Sequence, residues 1–324
     1  MNGYRKISTF HLLITLNSYQ EFLSMPELVK EKWSYNIRES VFCVAITHDA
    51  KYIVVGANDK NLYFLDGTGN KLWEYEIGQW VHSVDITYKG NYIVAGTGDY
   101  DVCFFNNTGE LLWKYKTGGD VNSVSITPGG DYIAVGTADW KIGLLDVING
   151  KLLWRYGVSQ MISGVALTPA AEYIVSGCGD RYIYFQNKNG KLLWRFETNG
   201  EVYDVDISFD GNRIIAGGED KYIYLLNKKG KLLFKKYIGG EIYGVRITPD
   251  GEFIAAGVNN NYVYLFNKAG KEIWKYETKG SVYEVDITPN AKHIAVASRD
   301  MRLYLLQNLI TPSKKLPFLH KKYV

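Results

Sequence analysis

The sequence has few cysteines, few prolines and no long apolar run, and each shortage excludes a class of protein. Its 324 residues include 3 Cys and 7 Pro. Cys43, Cys103 and Cys178 are far apart and odd in number, which fits neither a disulfide framework nor a zinc site. We therefore expect three small core residues and no metal site. No run approaches the roughly 18 apolar residues of a membrane-spanning helix, so we expect no membrane span.

The net charge is also small. A formal charge of +3 gives no reason to expect bulk electrostatic binding of nucleic acid or of an anionic membrane. Arg5 and Lys6 precede a short apolar stretch, as in a secretory signal, but no small-residue cleavage site follows them. We expect a soluble cytoplasmic monomer without a nucleic-acid partner. Secretion is the alternative, if residues 1–17 act as a signal.

Strand-forming and turn-forming residues, by contrast, are abundant, with 26 Tyr, 8 Trp and 33 Gly. They recur in a repeat whose copies are 40 residues apart, except for one spacing of 41. The extra residue falls in the VING loop of the third copy, and insertions in repeat proteins belong in loops. The copies begin at Val41, Val81, Val121, Ile162, Val202, Ile242 and Val282.

Each copy contains four β-rich runs separated by turn residues, in the order VxSVxIT, YIVAG, YIYLL and LLWKY. The third run is apolar on both faces, which suits a sheet that is stacked between two neighbouring sheets. This pattern predicts an all-β fold, namely a seven-bladed β-propeller of four-stranded antiparallel blades.

The two ends of the repeat region predict how the ring closes. The last copy loses its fourth strand after Gln307, whereas Trp33, Tyr35 and Ile37 repeat the spacing of the fourth strand of the first copy. We therefore expect the N-terminal strand to complete the last blade, which removes an open sheet edge.

This closure divides the chain into three parts. The propeller spans residues 33–307 and is followed by a basic C-terminal tail, 308–324. Residues 1–32 form an N-terminal extension. Its last part, 24–32, has a capping Ser24 and a Pro near the first turn, which predicts a short helix.

The repeat resembles two propeller families. Its first half, VxSVxITPxGxYIVAG with an Asp such as Asp99, Asp139 or Asp220 near the second turn, resembles the WD-repeat family. Its second half, NGKLLW followed by the aromatic residue of WRY or WRF, resembles the repeat of pyrroloquinoline-quinone dehydrogenases and outer-membrane assembly propellers. Together these resemblances cover Trp33 to Gln307 and imply the propeller fold.

The differences between this sequence and both families determine which family properties we expect here. The Gly-His and Trp-Asp pairs of WD repeats are absent. Quinoprotein dehydrogenases are generally longer, have more blades and often carry a vicinal disulfide beside the cofactor, which this sequence cannot form. We therefore expect no cofactor.

The same position in each copy falls at the same height of its blade, so candidate sites can be compared across the repeat. The five histidines do not converge, and no phosphate loop is present, so we expect no catalytic residues and no enzyme activity. The fifth positions of the inner strands line the central channel and include four charged residues. These are Asp85, Asp206, Arg246 and Asp286. They indicate either an ion-pair network or a site for a polar ligand or cation.

A second candidate site is the upper face, which we define as the side carrying the loops from each fourth strand to the next blade and from each second to third strand. We expect large side chains in those loops, around the channel mouth at Phe42, His82, Tyr203, Tyr243 and Tyr283, and across the second to fourth blades at Trp80, Tyr100, Trp140 and Met161. Other copies carry charged or small polar residues there, so the fold does not require these side chains. They indicate either partner binding or packing between loops.

The leading hypothesis is a non-enzymatic scaffold that binds a protein or peptide partner on the upper face. The alternative is a small ligand or cation bound in the channel, in a quinoprotein-like or lectin-like manner.

Overall fold

A computed structural model describes residues 27–310 and shows a ring of seven four-stranded antiparallel sheets. We number the blades from the first complete repeat. Blades 1 to 3 contain β2 Val41–Ile46, β3 Tyr52–Ala57, β4 Asn61–Asp66, β5 Lys71–Glu76, β6 Val81–Ile86, β7 Tyr92–Thr97, β8 Asp101–Asn106, β9 Leu111–Lys116, β10 Val121–Ile126, β11 Tyr132–Thr137, β12 Lys141–Asp146 and β13 Lys151–Gly157.

The remaining blades follow the same order. Blades 4 to 6 contain β14 Ile162–Leu167, β15 Tyr173–Cys178, β16 Tyr182–Asn187, β17 Leu192–Glu197, β18 Val202–Ile207, β19 Arg213–Gly218, β20 Tyr222–Asn227, β21 Leu232–Tyr237, β22 Ile242–Ile247, β23 Phe253–Val258, β24 Tyr262–Asn267 and β25 Glu272–Glu277. Blade 7 contains β26 Val282–Ile287, β27 His293–Ser298, β28 Arg302–Asn308 and β1 Val29–Asn36. No helix among residues 27–310 is long and apolar enough to cross a membrane.

Burial explains the strand pattern. The second and third strands of each blade are buried on both faces, as in Ile53–Val55 and Leu62–Leu65, because a neighbouring blade covers each side. The fourth strands lie at the outer rim and alternate between half-buried and exposed residues, as β9 and β17 do. The core is therefore a ring of apolar layers between blades, to which Cys43, Cys103 and Cys178 contribute as free, buried thiols, as predicted.

A tryptophan on the fourth strand joins each blade to the next. Trp194 donates its indole N–H to the carbonyl of Lys228 at 2.9 Å and packs against Gly230 in the same hairpin of the following blade. Gly230 has a φ of 76°, and a Cβ there would lie 3.0 Å from the Trp194 ring. The hairpin therefore requires glycine for its turn and for the close approach of the ring. Four further indoles donate to a backbone carbonyl 34 residues ahead in the same way, from Trp33, Trp73, Trp113 and Trp154. Trp274 also donates 34 residues ahead, but to the side-chain Oδ1 of Asn308 at 3.2 Å.

Blade 5 is the exception among the described blades. Phe234 occupies the tryptophan position and packs against Gly270, with no indole N–H to donate. Lys236 supplies a donor instead, from its ammonium group to the carbonyl of Gly270 at 2.8 Å. Blade 5 thus keeps a hydrogen bond to the hairpin of the next blade, but a lysine donates it instead of an indole.

The predicted closure of the ring is confirmed. Strand β1 pairs with β28, with Trp33 opposite Leu305 and Tyr35 opposite Leu303. Trp33 donates to the carbonyl of Gly67 in blade 1 at 3.1 Å, so the completed blade 7 also makes the standard contact with its neighbour.

The predicted boundary and helix at the N-terminus need correction. The closing strand begins at Val29, and residues 29–31, assigned from the sequence to a short helix, pair with β28 instead. The pairing of Val29 with Asn308 satisfies backbone groups that a single helical turn would leave open. A bulge between Glu31 and Trp33 adjusts the register. Residues 27 and 28 are not helical either. Residues 24–26 of the predicted helix lie outside the described residues, as does the tail from 311.

The indole contact predicts that substitutions at two positions change the free energy of unfolding in opposite directions. Trp194→Phe should lower the free energy of unfolding by about 1–2 kcal/mol, since it removes a hydrogen bond and leaves a smaller ring on Gly230. Phe234→Trp should raise it, because it adds the missing donor. Urea unfolding of the two variants measures both effects, and equal destabilisation by both would contradict the proposed role of the indole.

The closure of the ring by β1 predicts that removal of this strand destabilises all seven blades together. Deleting residues 1–37 exposes the β28 edge and removes the Trp33 contact, so the thermal unfolding midpoint should fall for the whole ring. Deletion of residues 1–26 is the matched control, because it removes none of the contacts described above. Equal midpoints for the two truncations would show that the closing strand contributes nothing.

Candidate functional site

The inner strands surround the channel, and their alternation sets which residues face it. Residues at the third and fifth positions of an inner strand point to the same side, because side chains alternate along a strand. An upper pocket of about 370 Å³ lies at the channel mouth on the upper face, and a lower pocket of about 160 Å³ lies at the opposite end. Arg246 lines both pockets and separates them.

Arg246 is held by carboxylates from the two adjacent blades. Its Nη1 lies 2.9 Å from Asp204 Oδ2, and its Nη2 lies 2.8 Å from Glu284 Oε1. Asp286 is farther away, with Oδ1 at 3.8 Å from Nε. The nearest partners are thus the third-position residues Asp204 and Glu284, which the sequence reasoning left out of the channel. The two-residue alternation was the signal that could have found them.

The predicted fifth-position aspartates serve mainly as backbone acceptors. Asp85 accepts the N–H of Ile126 at 2.8 Å, and Asp206 accepts that of Ile247 at 2.8 Å. Asp286 accepts the N–H of Ile46 in blade 1, also at 2.8 Å. Each carboxylate therefore satisfies the channel-facing backbone of the next inner strand. The ion-pair network expected from the sequence centres on Arg246.

Burial changes the proton affinity of these groups. It raises the pKa of Asp85 to about 6 and that of Asp206 to about 7, although backbone N–H groups, and Arg246 beside Asp206, act in the opposite direction. Burial likewise raises the pKa of Glu284, against the attraction of Arg246. The channel thus holds more carboxyl groups than one guanidinium can balance, and burial opposes their ionisation.

An arc of aromatic rings forms one side of the channel mouth. Ring centroids are 5.7 Å apart for Tyr203 and Tyr243, 5.6 Å for Tyr243 and Tyr283, and 5.4 Å for Tyr283 and Phe42. We predicted these residues and His82 in loops, but each is the second residue of an inner strand. Each lies at a bulge between the first and third residues of its strand, and it has no paired residue on the neighbouring strand.

His82 continues the mouth in blade 2. It lies edge-on to Trp80, with ring centroids 6.2 Å apart, and its Nε2 is 4.0 Å from Asp120 Oδ2. Burial lowers the pKa of His82, against the attraction of Asp120.

The outer apolar residues of the upper face are exposed. Fractional exposure is 51% for Trp80, 44% for Tyr100, 48% for Trp140 and 40% for Met161. Tyr100 and Trp140 also have positive φ angles of 73° and 67°, which bulky residues rarely adopt. Their loops therefore present large side chains at backbone positions that do not favour them.

A family model described as "Outer membrane protein assembly factor BamB", built on pyrroloquinoline-quinone-type repeats, matches residues 30–177 and 179–307. These ranges cover most of the chain and all seven blades. The chain belongs to this BamB-type family. No curated protein matches the chain. The family match supports the quinoprotein-like half of the sequence resemblance, and the resemblance to WD repeats stays a prediction.

In this BamB-type propeller, no group of three or more His, Cys, Asp or Glu residues within 27–310 has the arrangement of a metal site. The absence of a cofactor and of catalytic residues remains an expectation from the sequence.

The raised pKa of Asp206 predicts a specific pH dependence. The folded chain binds this proton more tightly than the unfolded chain, whose carboxyl has a pKa of 3.8, so the charge lowers stability as pH rises from about 4 to about 7. Asp206→Asn removes this effect. The unfolding free energy of the variant minus that of wild type should rise over that interval and be constant above it, as measured by urea unfolding across pH.

Asp85→Asn is the matched comparison. The unfolding free energy of this variant minus that of wild type should stop rising near pH 6, where the raised pKa of Asp85 lies. A difference that is independent of pH for both variants would contradict the assignment of protons to these carboxyls.

Proposed function

We propose that this propeller is a non-enzymatic scaffold that binds a protein or peptide partner on its upper face. The observation that carries the proposal is the exposure of large apolar side chains there, on Trp80, Tyr100, Trp140 and Met161. Aromatic residues of this size dominate binding energy at protein interfaces.

Comparison between blades supports a binding role for these side chains. The position of Tyr100 and Trp140, in the turn between the second and third strands, has positive φ in every blade. Blade 1 has Lys60 there, and blade 6 has Asn261. The turn therefore forms without an aromatic residue, and the aromatic side chains of blades 2 and 3 are not needed for its geometry.

Other exposed apolar residues differ in this respect. Leucines on the fourth strands recur at the outer rim of blade after blade, at Leu72, Leu112, Leu153, Leu193 and Leu233. Since they follow the repeat, they belong to the blade pattern and are a suitable control surface.

The family description supports the same proposal, because an assembly factor acts on other proteins. The description also names the outer membrane, which favours the secretion alternative for residues 1–17 over a cytoplasmic location. The partner, the location and the monomeric state remain predictions.

The channel alternative has weaker support. The fifth-position carboxylates Asp85, Asp206 and Asp286 each already accept backbone N–H groups. A small ligand in the lower pocket would have to compete with those bonds.

Capture of partners from the native source tests the proposal. Wild-type chain and the Trp80→Ala, Trp140→Ala double variant are immobilised, and the bound proteins are compared by quantitative mass spectrometry. We expect a partner captured by wild type to fall at least about tenfold with the double variant, because hot-spot aromatics contribute about 2 kcal/mol or more each.

The control is the Leu193→Ala, Leu233→Ala double variant, which removes similarly exposed side chains from the outer rim. It should retain the partner. Equal capture by all three chains, or loss only with the leucine variant, would place binding away from the upper face and overturn the proposal.

A further inference from the structure

We propose that the upper pocket binds a basic side chain, lysine or arginine, of the partner. The inference rests on the proposed function and specifies its chemistry at the channel mouth. Trp80 lines this pocket and also belongs to the exposed apolar set, so the same partner can reach both.

The shape of the pocket suits one long side chain. Its volume is about 370 Å³, and it extends from the upper face down to Arg246. The wall over blades 5 to 7 and blade 1 is the aromatic arc of Tyr203, Tyr243, Tyr283 and Phe42. The opposite wall is polar and includes Asn122 and Ser163.

Aromatic walls bind cations through the negative faces of the rings. A lysine or arginine over a tyrosine ring gains about 0.5–1 kcal/mol when exposed and about 2 kcal/mol when desolvated. The protein already uses this contact on its own surface, where the Lys188 ammonium lies 3.9 Å from the centroid of Tyr132 and that of Lys228 lies 4.1 Å from Tyr173. A lysine stem would pack along the apolar rings as well.

The floor of the pocket is acidic overall. Arg246 supplies one positive charge, whereas two carboxyl groups, those of Asp204 and Glu284, lie within 2.9 Å of it. Glu284 Oε1 is buried and has no well-aligned hydrogen bond despite its proximity to Arg246. Burial raises the pKa of both carboxyl groups, so a second cation above the floor would favour their ionised forms and be attracted to the resulting excess of negative charge.

The rim beside the arc is acidic too. The pKa of Tyr203 is raised to about 12 by burial and then by the negative charges of Glu241, Glu219 and Glu201. Glu241 likewise acts on Tyr243, after burial. The negative potential of the pocket therefore extends from its floor to the aromatic rings where a basic side chain would enter.

The same features disfavour other occupants. An anion would meet the rim glutamates, and Arg246 is already engaged by two carboxylates. An apolar side chain would desolvate those carboxylates without giving them a partner, which is unfavourable. A basic side chain satisfies both the rings and the charges.

Binding of blocked pentapeptides to the full chain tests the inference. The probes are acetyl-Gly-Gly-Lys-Gly-Gly-amide and the same peptide with Arg, Leu or Glu at the centre, measured by isothermal titration calorimetry at low ionic strength. We expect the Lys and Arg probes to bind at least about fivefold more tightly than the Leu and Glu probes, and added salt to weaken them.

Two variants assign the binding to the pocket. Tyr243→Leu keeps an apolar side chain but removes the central ring of the arc, and Glu241→Gln removes a rim charge. Each should lower affinity for the Lys probe about threefold or more. The control is Tyr237→Leu, which removes a ring that is 58% exposed on the outer strand of blade 5 and should leave affinity unchanged.

The outcomes separate this inference from the proposed function. Equal affinity for Lys and Leu probes, no detectable binding of the Lys probe at millimolar concentration, or full affinity in both pocket variants overturns the inference. A captured partner that is lost with the Trp80, Trp140 double variant but retained by Tyr243→Leu also overturns it while the proposed function stands. If Tyr243→Leu does not fold, Glu241→Gln decides.

Discussion

The contact between a fourth-strand indole and the hairpin of the next blade is the constraint on which the ring depends. The outer strands are only half covered by neighbouring blades, so burial alone holds them weakly at the rim. In five of the seven blades the indole adds a hydrogen bond of 2.7–3.1 Å and a ring packed on a glycine turn, and in a sixth Trp274 adds a hydrogen bond to the Asn308 side chain. Because each bond points forward along the chain, the blades are joined in one direction, and Trp33 carries the series across the closure.

The inner edge of each blade is stabilised by a different device, and it shapes the candidate site. Ser83 and Ser123 accept the backbone N–H groups of Val124 and Val165 in the following blades, at 3.1 and 2.9 Å. In blade 5 the same task falls to Asp204, which accepts the N–H of Val245 at 2.8 Å. The aspartates that accept backbone N–H groups in blades 5 and 7 surround Arg246, which is their counter-ion. The asymmetry of the channel therefore follows from how its backbone is satisfied.

The repeat also separates structural residues from residues that serve another purpose. A side chain present in nearly every blade, such as the fourth-strand indole, belongs to the scaffold. Tyr100 and Trp140 break the pattern in an exposed turn with an unfavourable φ, and the aromatic arc breaks it at the channel mouth. These departures lie on one face, which is why binding is proposed there.

The sequence by itself determined the architecture, because each 40-residue repeat forms one four-stranded blade. The shared spacing of aromatic residues after Trp33 and Trp73 also identifies the closing strand. The sequence also determined which side chains would share the upper face, since equivalent positions lie at equivalent heights. Only the tertiary structure decided the rest. The helix expected over 24–32 was wrong from Glu27 onward, because pairing with β28 outweighs a local capping signal. The pairing of Arg246 with Asp204 and Glu284 depends on distances between blades. Those distances follow from how neighbouring sheets pack, which no repeat spacing records.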